Sequence, residues 1–189
     1  MYLGEDFQIA SWFRIHFTEN NGMAFGLELG GKWGKSFLSI FRIIASFGIG
    51  YYLLHLIKHK THPGVITCFS LIFAGAIGNI LDSAFYGLIF SDSENGLSTF
   101  LPASGGYAGF LHGRVVDMLY FPLINGTFPS WFPIWGSESF EFFRPVFNIA
   151  DSSISIGVLL FVIFQKKFTA ALKPVAPVVE TTTVTEQTL

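Results

Sequence analysis

Three long apolar runs, each interrupted by a single charged residue, constrain this chain more than any other feature of its sequence. The runs cover residues 36–57, 64–90 and 146–164. Their charged residues are Arg42, Asp82 and Asp151, respectively. At about 1.5 Å per residue, a helix of any of these lengths crosses the roughly 30 Å hydrocarbon core of a bilayer. The rest of the chain offers no amphipathic helices that could cover these runs in water, so we predict membrane spans rather than a soluble helical core.

The composition excludes several other classes of protein. Charged residues make up only 13% of the chain and the formal net charge is −2, without a basic stripe, so we expect no nucleic-acid partner. The single cysteine, Cys68, rules out an internal disulfide and lies in an apolar run, where cysteine is usually a small buried hydrophobe. No histidine forms a metal-type pair with an acidic residue, and we therefore predict neither a metal nor another cofactor.

The lysines orient the predicted spans. Lys58 and Lys60 separate the first two runs, and three more lysines follow the third run, at positions 166, 167 and 173. An up-and-down threading places all of them on one side, which the positive-inside rule assigns to the cytoplasm. Residues 1–35 and 91–145 would then lie outside. No signal peptide explains the export of the first of these segments, so we expect one further span upstream that is missing from this sequence.

The two outer segments differ in character, and the chain ends in a polar tail. Residues 12–18 partly alternate between apolar and polar side chains, which predicts a short strand. The stretch 120–143 is crowded with aromatic residues and prolines, and it is either an anchor at the water–lipid boundary or a lid over a membrane site. Residues 168–189 predict a disordered cytoplasmic tail. We expect an all-α transmembrane bundle over residues 1–167, as a single domain with a small extracytoplasmic β element and an interfacial aromatic loop.

Ionisable residues at membrane depth are the strongest functional signal in the sequence. Such a residue costs a few kcal/mol on insertion scales and by default marks a functional site. The rise of a helix places Asp82 and Asp151 near the outer boundary of their runs, at the level of Asp117 in the outer segment. Asn79 and Asn148 each precede an aspartate by three residues, so each shares a helix face with it and can donate a hydrogen bond to it.

Two carboxylates that approach each other in a low-dielectric site cannot both ionise easily, so one keeps its proton. Asp117 and Asp151 could then act as acid and base on a water and a peptide carbonyl. Two alternatives stay open at this point. In one, Asp82 and Asp151 bind a cation in a small transporter or proton-coupled carrier; in the other, the polar groups only bond across the helices of a membrane scaffold.

Four short segments occur in a fixed order along the chain. They are NNGMAFG at 20–26, GAIGNILD at 75–82, GRVVD at 113–117 and FNIADS at 147–152. They resemble, in the same order, the Asn-x-Gly-Ala-Ala-Phe, Gly-x-x-Gly-Asn-x-x-Asp, Gly-x-Val-Val-Asp and Phe-Asn-x-Ala-Asp motifs of the lipoprotein signal peptidases, also called signal peptidase II. The resemblance covers most of the chain, and the motifs fall where the predicted membrane placement requires them.

The resemblance implies a membrane aspartic endopeptidase that removes the signal peptide of diacylglyceryl-modified prolipoproteins, cutting before the lipidated cysteine. Its catalytic dyad corresponds to Asp117 and Asp151. The supporting or substrate-contacting positions are Asn20, Asn79, Asp82, Arg114 and Asn148. The implied partners are the prolipoprotein and membrane lipids. We expect a monomer in the bacterial inner membrane, with its site near the outer face.

Three departures from the family pattern accompany this resemblance. The family normally has four membrane helices, and the first of them, which carries an Asp-Gln motif, is absent here. Ser83 stands where the family usually has Arg, so Arg114 or Arg42 would have to supply the charge. An insertion between Tyr86 and Gly113 enlarges the outer loop. For Arg42 we favour snorkelling to the outer headgroups over pairing with Asp82.

Overall fold

The computed structural model describes residues 2–20, 31–94 and 96–170 of the chain. The strands are β1 (Asp6–Ala10), β2 (Phe13–Asn20), β3 (Val115–Tyr120), β4 (Ile124–Thr127), β5 (Ser139–Phe142) and β6 (Val146–Phe147). The helices are α1 (Gly31–Lys58), α2 (Pro63–Ile89) and α3 (Ile149–Ala170). Most of the segment 20–26 and the tail from residue 171 lie outside the described residues.

Helices α1 and α2 cover the first two predicted runs. The third run was expected to be helical from Val146, but α3 begins at Ile149, because Val146 and Phe147 pair with β3 as strand β6. Within the three helices, Gly34–Lys58, Pro63–Ile89 and Ile149–Phe168 are long and apolar enough to cross a membrane. The turn between the first two is defined by capping, because Pro63 occupies the first position of α2 and His62 Nδ1 accepts the N–H of Gly64 at 3.0 Å. The third helix runs to Ala170 and so extends into the segment predicted as tail. Phe168 explains the extension, since its side chain is buried in a cluster with Leu56, Val65 and Cys68.

Small residues let α2 and α3 approach closely. A Cβ atom at Gly75 would collide with the carbonyl oxygen of Ala150, and one at Gly157 would lie 2.7 Å from the carbonyl oxygen of Cys68. Close backbone contact through small residues is the usual way in which membrane helices associate. This contact brings the Asn79 turn of α2 beside the first turn of α3.

A four-stranded antiparallel sheet, in the order β1-β2-β3-β6, lies at the end of the helices where α2 ends and α3 begins. Its register pairs Thr18 of β2 with Asp117 of β3, and Leu119 of β3 with Phe147 of β6. Strand β6 leads directly into α3. The predicted β element is therefore larger than residues 12–18 indicated, and the all-α class is not confirmed, because the described residues contain two sheets as well as the helices.

The aromatic stretch forms a separate hairpin of β4 and β5. Its tip holds a cluster of stacked and tilted rings built around Phe128, Phe132 and Trp135. Trp131 at the tip is 77% exposed. The Tyr120 hydroxyl donates a hydrogen bond to Glu141 and so ties the hairpin to the central sheet.

The inserted segment after α2 folds back over the same ends of the helices. The Gly113 N–H donates to the carbonyl oxygen of Ser83 at 2.8 Å, and the Ala108 N–H donates to that of Gly87 at 2.9 Å. The Ser39 hydroxyl of α1 donates to the carbonyl oxygen of Leu111 at 3.2 Å. These bonds connect the insertion to two helices and set the starting point of β3.

Candidate active site

Asp117 is the most deeply buried carboxylate of the four-stranded sheet. It lies within β3, where its residue is only 3% exposed. Asn148 Nδ2 donates to its Oδ1 at 2.9 Å, and Asn20 Nδ2 donates to its Oδ2 at 3.3 Å. Burial removes this carboxylate from water. Both of its oxygens nevertheless accept a hydrogen bond, one from an amide on β2 and one from an amide at the start of α3.

Asp151 is held by the local structure of the α3 N-terminus. Asn148 is the N-cap residue, and its Oδ1 accepts the N–H of Asp151 at 2.8 Å. In return, the N–H of Asn148 lies 3.5 Å from Asp151 Oδ2. This reciprocal pattern is a capping box, with an acid three residues after the cap. The Asn-x-x-Asp spacing therefore starts the helix. The predicted donation from each Asn to the Asp three residues later was wrong, because Asn148 donates to Asp117 and Asn79, and Asn79 donates to Asp151.

Two amide side chains join the two carboxylates. Asn148 Nδ2 donates both to Asp117 Oδ1 and, at 3.0 Å, to Asn79 Oδ1. Asn79 Nδ2 in turn donates to Asp151 Oδ1 at 2.8 Å. An amide group has two hydrogens to donate and one oxygen to accept with, and Asn148 uses all three. We call these four residues, Asp117, Asn148, Asn79 and Asp151, the Asp/Asn network.

Electrostatics separate Asp117 from an ordinary surface aspartate. Burial, and then the negative charge of Asp151, raise the pKa of Asp117 from 3.8 to about 6, although hydrogen bonds from Asn20 and Asn148 act in the opposite direction. A carboxyl group with a pKa close to neutrality exists in both protonation states at physiological pH, and such a group is suited to acid–base chemistry.

Asp82 lies outside the Asp/Asn network and supports β3. Its carboxylate accepts hydrogen bonds from the Tyr86 side chain and from the backbone of Val116, the neighbour of Asp117. Sequence analysis identified Asp82 but not Tyr86, because a tyrosine in an apolar run carries no signal of its partner. A cavity of about 360 Å³ beside the network is lined by Asp82, Tyr86, Val116 and Asn148 among others.

Arg114 is directed toward the insertion. Its Nη1 lies 2.8 Å from Glu19 and 3.2 Å from Asp92, and its Nη2 lies 2.7 Å from Glu94. The guanidinium also lies over the ring of Tyr107, 5.3 Å from its centroid. Burial acts to lower the pKa of Arg114, but the hydrogen bond and charge of Glu19, with the other acids, raise it overall.

Arg42 is affected by different charges from those considered in the sequence. The negative charges that act on its guanidinium are those of Asp151 and Asp117, and not that of Asp82, the partner considered from the sequence. Within the described residues, no group of three or more His, Cys, Asp and Glu side chains is placed to hold a metal ion. The site thus consists of carboxylates, amides and one nearby guanidinium.

Comparison with known proteins gives consistent matches. The sequence profile of the family described as Signal peptidase (SPase) II matches residues 2–166. A lipoprotein signal peptidase of Porphyromonas gingivalis is 55% identical over 164 residues, which cover 86% of this chain and 71% of that protein. One of Amoebophilus asiaticus is 37% identical over 188 residues, covering 99% and 74%. A solved bacterial membrane enzyme superposes with a TM-score of 0.56 at 26% identity, covering 93% of this chain and 79% of the other.

Proposed function

The chain belongs to the signal peptidase II family, and from this premise we propose that it is a membrane aspartic endopeptidase that removes the signal peptide of diacylglyceryl-modified prolipoproteins. The cut falls before the lipidated cysteine. The observation that carries the proposal is the Asp/Asn network, in which two carboxylates from distant parts of the chain share hydrogen-bonded amides. Both carboxylates come from one chain, so a monomer suffices.

The two carboxyl groups divide the chemistry of hydrolysis between them. Asp117, with its raised pKa, carries the proton and donates a hydrogen bond to the scissile carbonyl oxygen. Asp151 takes a proton from a water molecule, whose oxygen attacks the carbonyl carbon. Asp117 protonates the carbonyl oxygen in the same step, which gives a tetrahedral intermediate with two hydroxyl groups. The C–N bond then breaks, and the leaving amine receives the proton held by Asp151. One of the two hydroxyl groups on the former carbonyl carbon returns its proton to Asp117. Asn79 and Asn148 keep the carboxyl groups in position throughout.

The placement of charges supports a site at the outer face of a bacterial inner membrane. The rings of His62 and Phe168 lie 5.0 Å apart, so the α1–α2 turn and the end of α3 occupy the same end of the helices. Lys58 lies at this end, as does Lys167, and the positive-inside rule assigns such an end to the cytoplasm. The Asp/Asn network lies at the other end, which is the level at which a lipid anchor would hold a substrate.

The remaining residues predicted from the sequence surround the Asp/Asn network. Asp82 fixes the backbone of β3 next to Asp117, and Asn20 orients the Asp117 carboxyl group. Arg114 anchors the insertion to β2 through Glu19. The β4–β5 hairpin inserts its exposed aromatic tip into the outer leaflet and so acts as an anchor.

Cleavage of a lipid-modified precursor tests this proposal. The purified full-length chain is incubated with a diacylglyceryl-modified prolipoprotein and with the unmodified precursor, and the fragments are identified by mass spectrometry. We expect one cut, directly before the lipidated cysteine, in the modified precursor alone. Absence of this cut, combined with ion flux in liposomes that depends on Asp82 and Asp151, would favour the carrier alternative instead.

A further inference from the structure

Two buried serines identify the face of α1 on which Arg42 lies. Residues three and four apart share a helix face, so Arg42 lies on the face of Ser39 and Ser46. Both serines are buried, at 8% and 3% exposure, whereas Phe47 on another face is 75% exposed. Arg42 itself is half-buried. The arginine therefore lies on the face of α1 that packs against protein rather than on the exposed face.

The depth of Arg42 agrees with that of the network. The Ser39 hydroxyl bonds to Leu111, a few residues before β3, and this fixes α1 at the outer loop. Arg42 lies about one helical turn further in, roughly 5 Å along the axis. An arginine side chain spans such a distance readily, and the carboxylates that attract its guanidinium are those of Asp151 and Asp117.

From this geometry we propose that Arg42 is a positioning residue that sets the charge state of the Asp117–Asp151 pair. The inference rests on the proposed function, because it concerns the same two carboxyl groups. Among the described residues, the charges of Asp151 on α3 and Asp82 on α2 act on Asp117, and those of Asp151 and Asp117 act on Arg42 of α1. The arginine is the positive member of this set.

A guanidinium suits this role for a physical reason. It stays protonated at every accessible pH, so it provides a constant positive charge in a site that is otherwise acidic. That charge stabilises the state in which one carboxyl group of the pair is ionised and the other keeps its proton. If the charge is removed, Asp117 holds its proton to a higher pH.

The pH dependence of cleavage tests the proposal. In the full-length chain, Arg42→Gln should move the acid limb of the kcat/KM profile upward by about one pH unit. Arg42→Lys keeps the charge and should leave the limb in place. Arg14→Gln is the matched control, since Arg14 pairs with Asp6 on the outer sheet at 3.1 Å. Activity that falls equally at all pH values in Arg42→Gln, with both limbs unmoved, would overturn the proposal.

A second measurement needs no substrate and therefore separates this inference from the proposed function. Aspartate labelled with ¹³C at the carboxyl carbon gives a titration curve for Asp117, assigned with the Asp117→Asn variant. Arg42→Gln should raise the Asp117 midpoint by about the same one unit, and Arg42→Met provides a second neutral variant if the first does not fold. An unmoved midpoint in an active enzyme defeats the role of Arg42 alone. A moved midpoint in a chain that cleaves no prolipoprotein supports that role and defeats the proposed function.

Discussion

Asp117→Asn is expected to change the pH dependence of stability as well as activity. The folded protein holds Asp117 buried and close to Asp151, which raises its pKa above the unfolded value. A carboxyl group of this kind favours the folded state when it is protonated. The contribution is present in full below about pH 4 and is lost as the pH rises through about 6, because the folded chain must then ionise a carboxyl group that the unfolded chain ionises more easily.

The size of the effect follows from the two pKa values. A shift from 3.8 to about 6 corresponds to about 3 kcal/mol at 1.36 kcal/mol per unit. Asparagine has no such titration, but it presents only one acceptor oxygen where Asp117 accepts from both Asn20 and Asn148. The lost hydrogen bond lowers stability by about 1–3 kcal/mol at every pH. The pH-dependent part of the difference between variant and native chain is therefore the informative quantity.

Equilibrium unfolding in mixed detergent micelles at pH 4 and pH 8 measures this difference. Relative to the native chain, Asp117→Asn should gain about 2.5 kcal/mol in its free energy of unfolding between the two pH values, since the unfolded carboxyl group is already partly ionised at pH 4. Asp6→Asn, a substitution on the four-stranded sheet away from the network, is the control. A difference between Asp117→Asn and the native chain that stays constant with pH would show that Asp117 is not held in the environment described here.

Three further substitutions test the network, the helix packing and the hairpin. Asn148→Ala should lower kcat/KM by about 100-fold. It should also lower the free energy of unfolding by about 1–2 kcal/mol through loss of the N-cap. Full activity would contradict the role of the Asp/Asn network in catalysis. Gly75→Ala should destabilise the α2–α3 contact by about 1–3 kcal/mol in the same unfolding assay, whereas Gly48→Ala, which meets nothing within 4 Å, should not. Brominated lipids should quench tryptophan fluorescence less in Trp131→Phe than in the native chain, and equal quenching would argue against insertion of the tip.

The features that sequence analysis predicted well are those that local physics determines. Hydropathy over about 20 residues identifies a helix that can cross a membrane without reference to the rest of the chain, and all three runs became such helices. The three-residue spacing of Asn148 and Asp151 was interpreted as a shared helix face, whereas the structure makes Asn148 the N-cap in a capping box. Helix ends were less well determined, since α3 extends to Ala170 through the burial of Phe168.

The features that sequence analysis missed depend on contacts between distant parts of the chain. Only one strand was predicted in the outer region, because the pairing of Thr18 with Asp117 and of Leu119 with Phe147 is not visible in a local pattern. For the same reason, the sequence could not assign Arg114 to Glu19, which lies 95 residues away. The bridging role of Asn148 between Asp117 and Asn79 also required the fold.

The most direct measurement compares cleavage of a diacylglyceryl-modified prolipoprotein by the native chain and by its Asp117→Asn, Asp151→Asn and Asp6→Asn variants, each checked for insertion and folding. We predict that the first two variants release no signal peptide, while Asp6→Asn cleaves at the native rate. Turnover by a folded Asp117→Asn or Asp151→Asn variant at more than a trace of the native rate would contradict the assignment of these two residues as the catalytic pair.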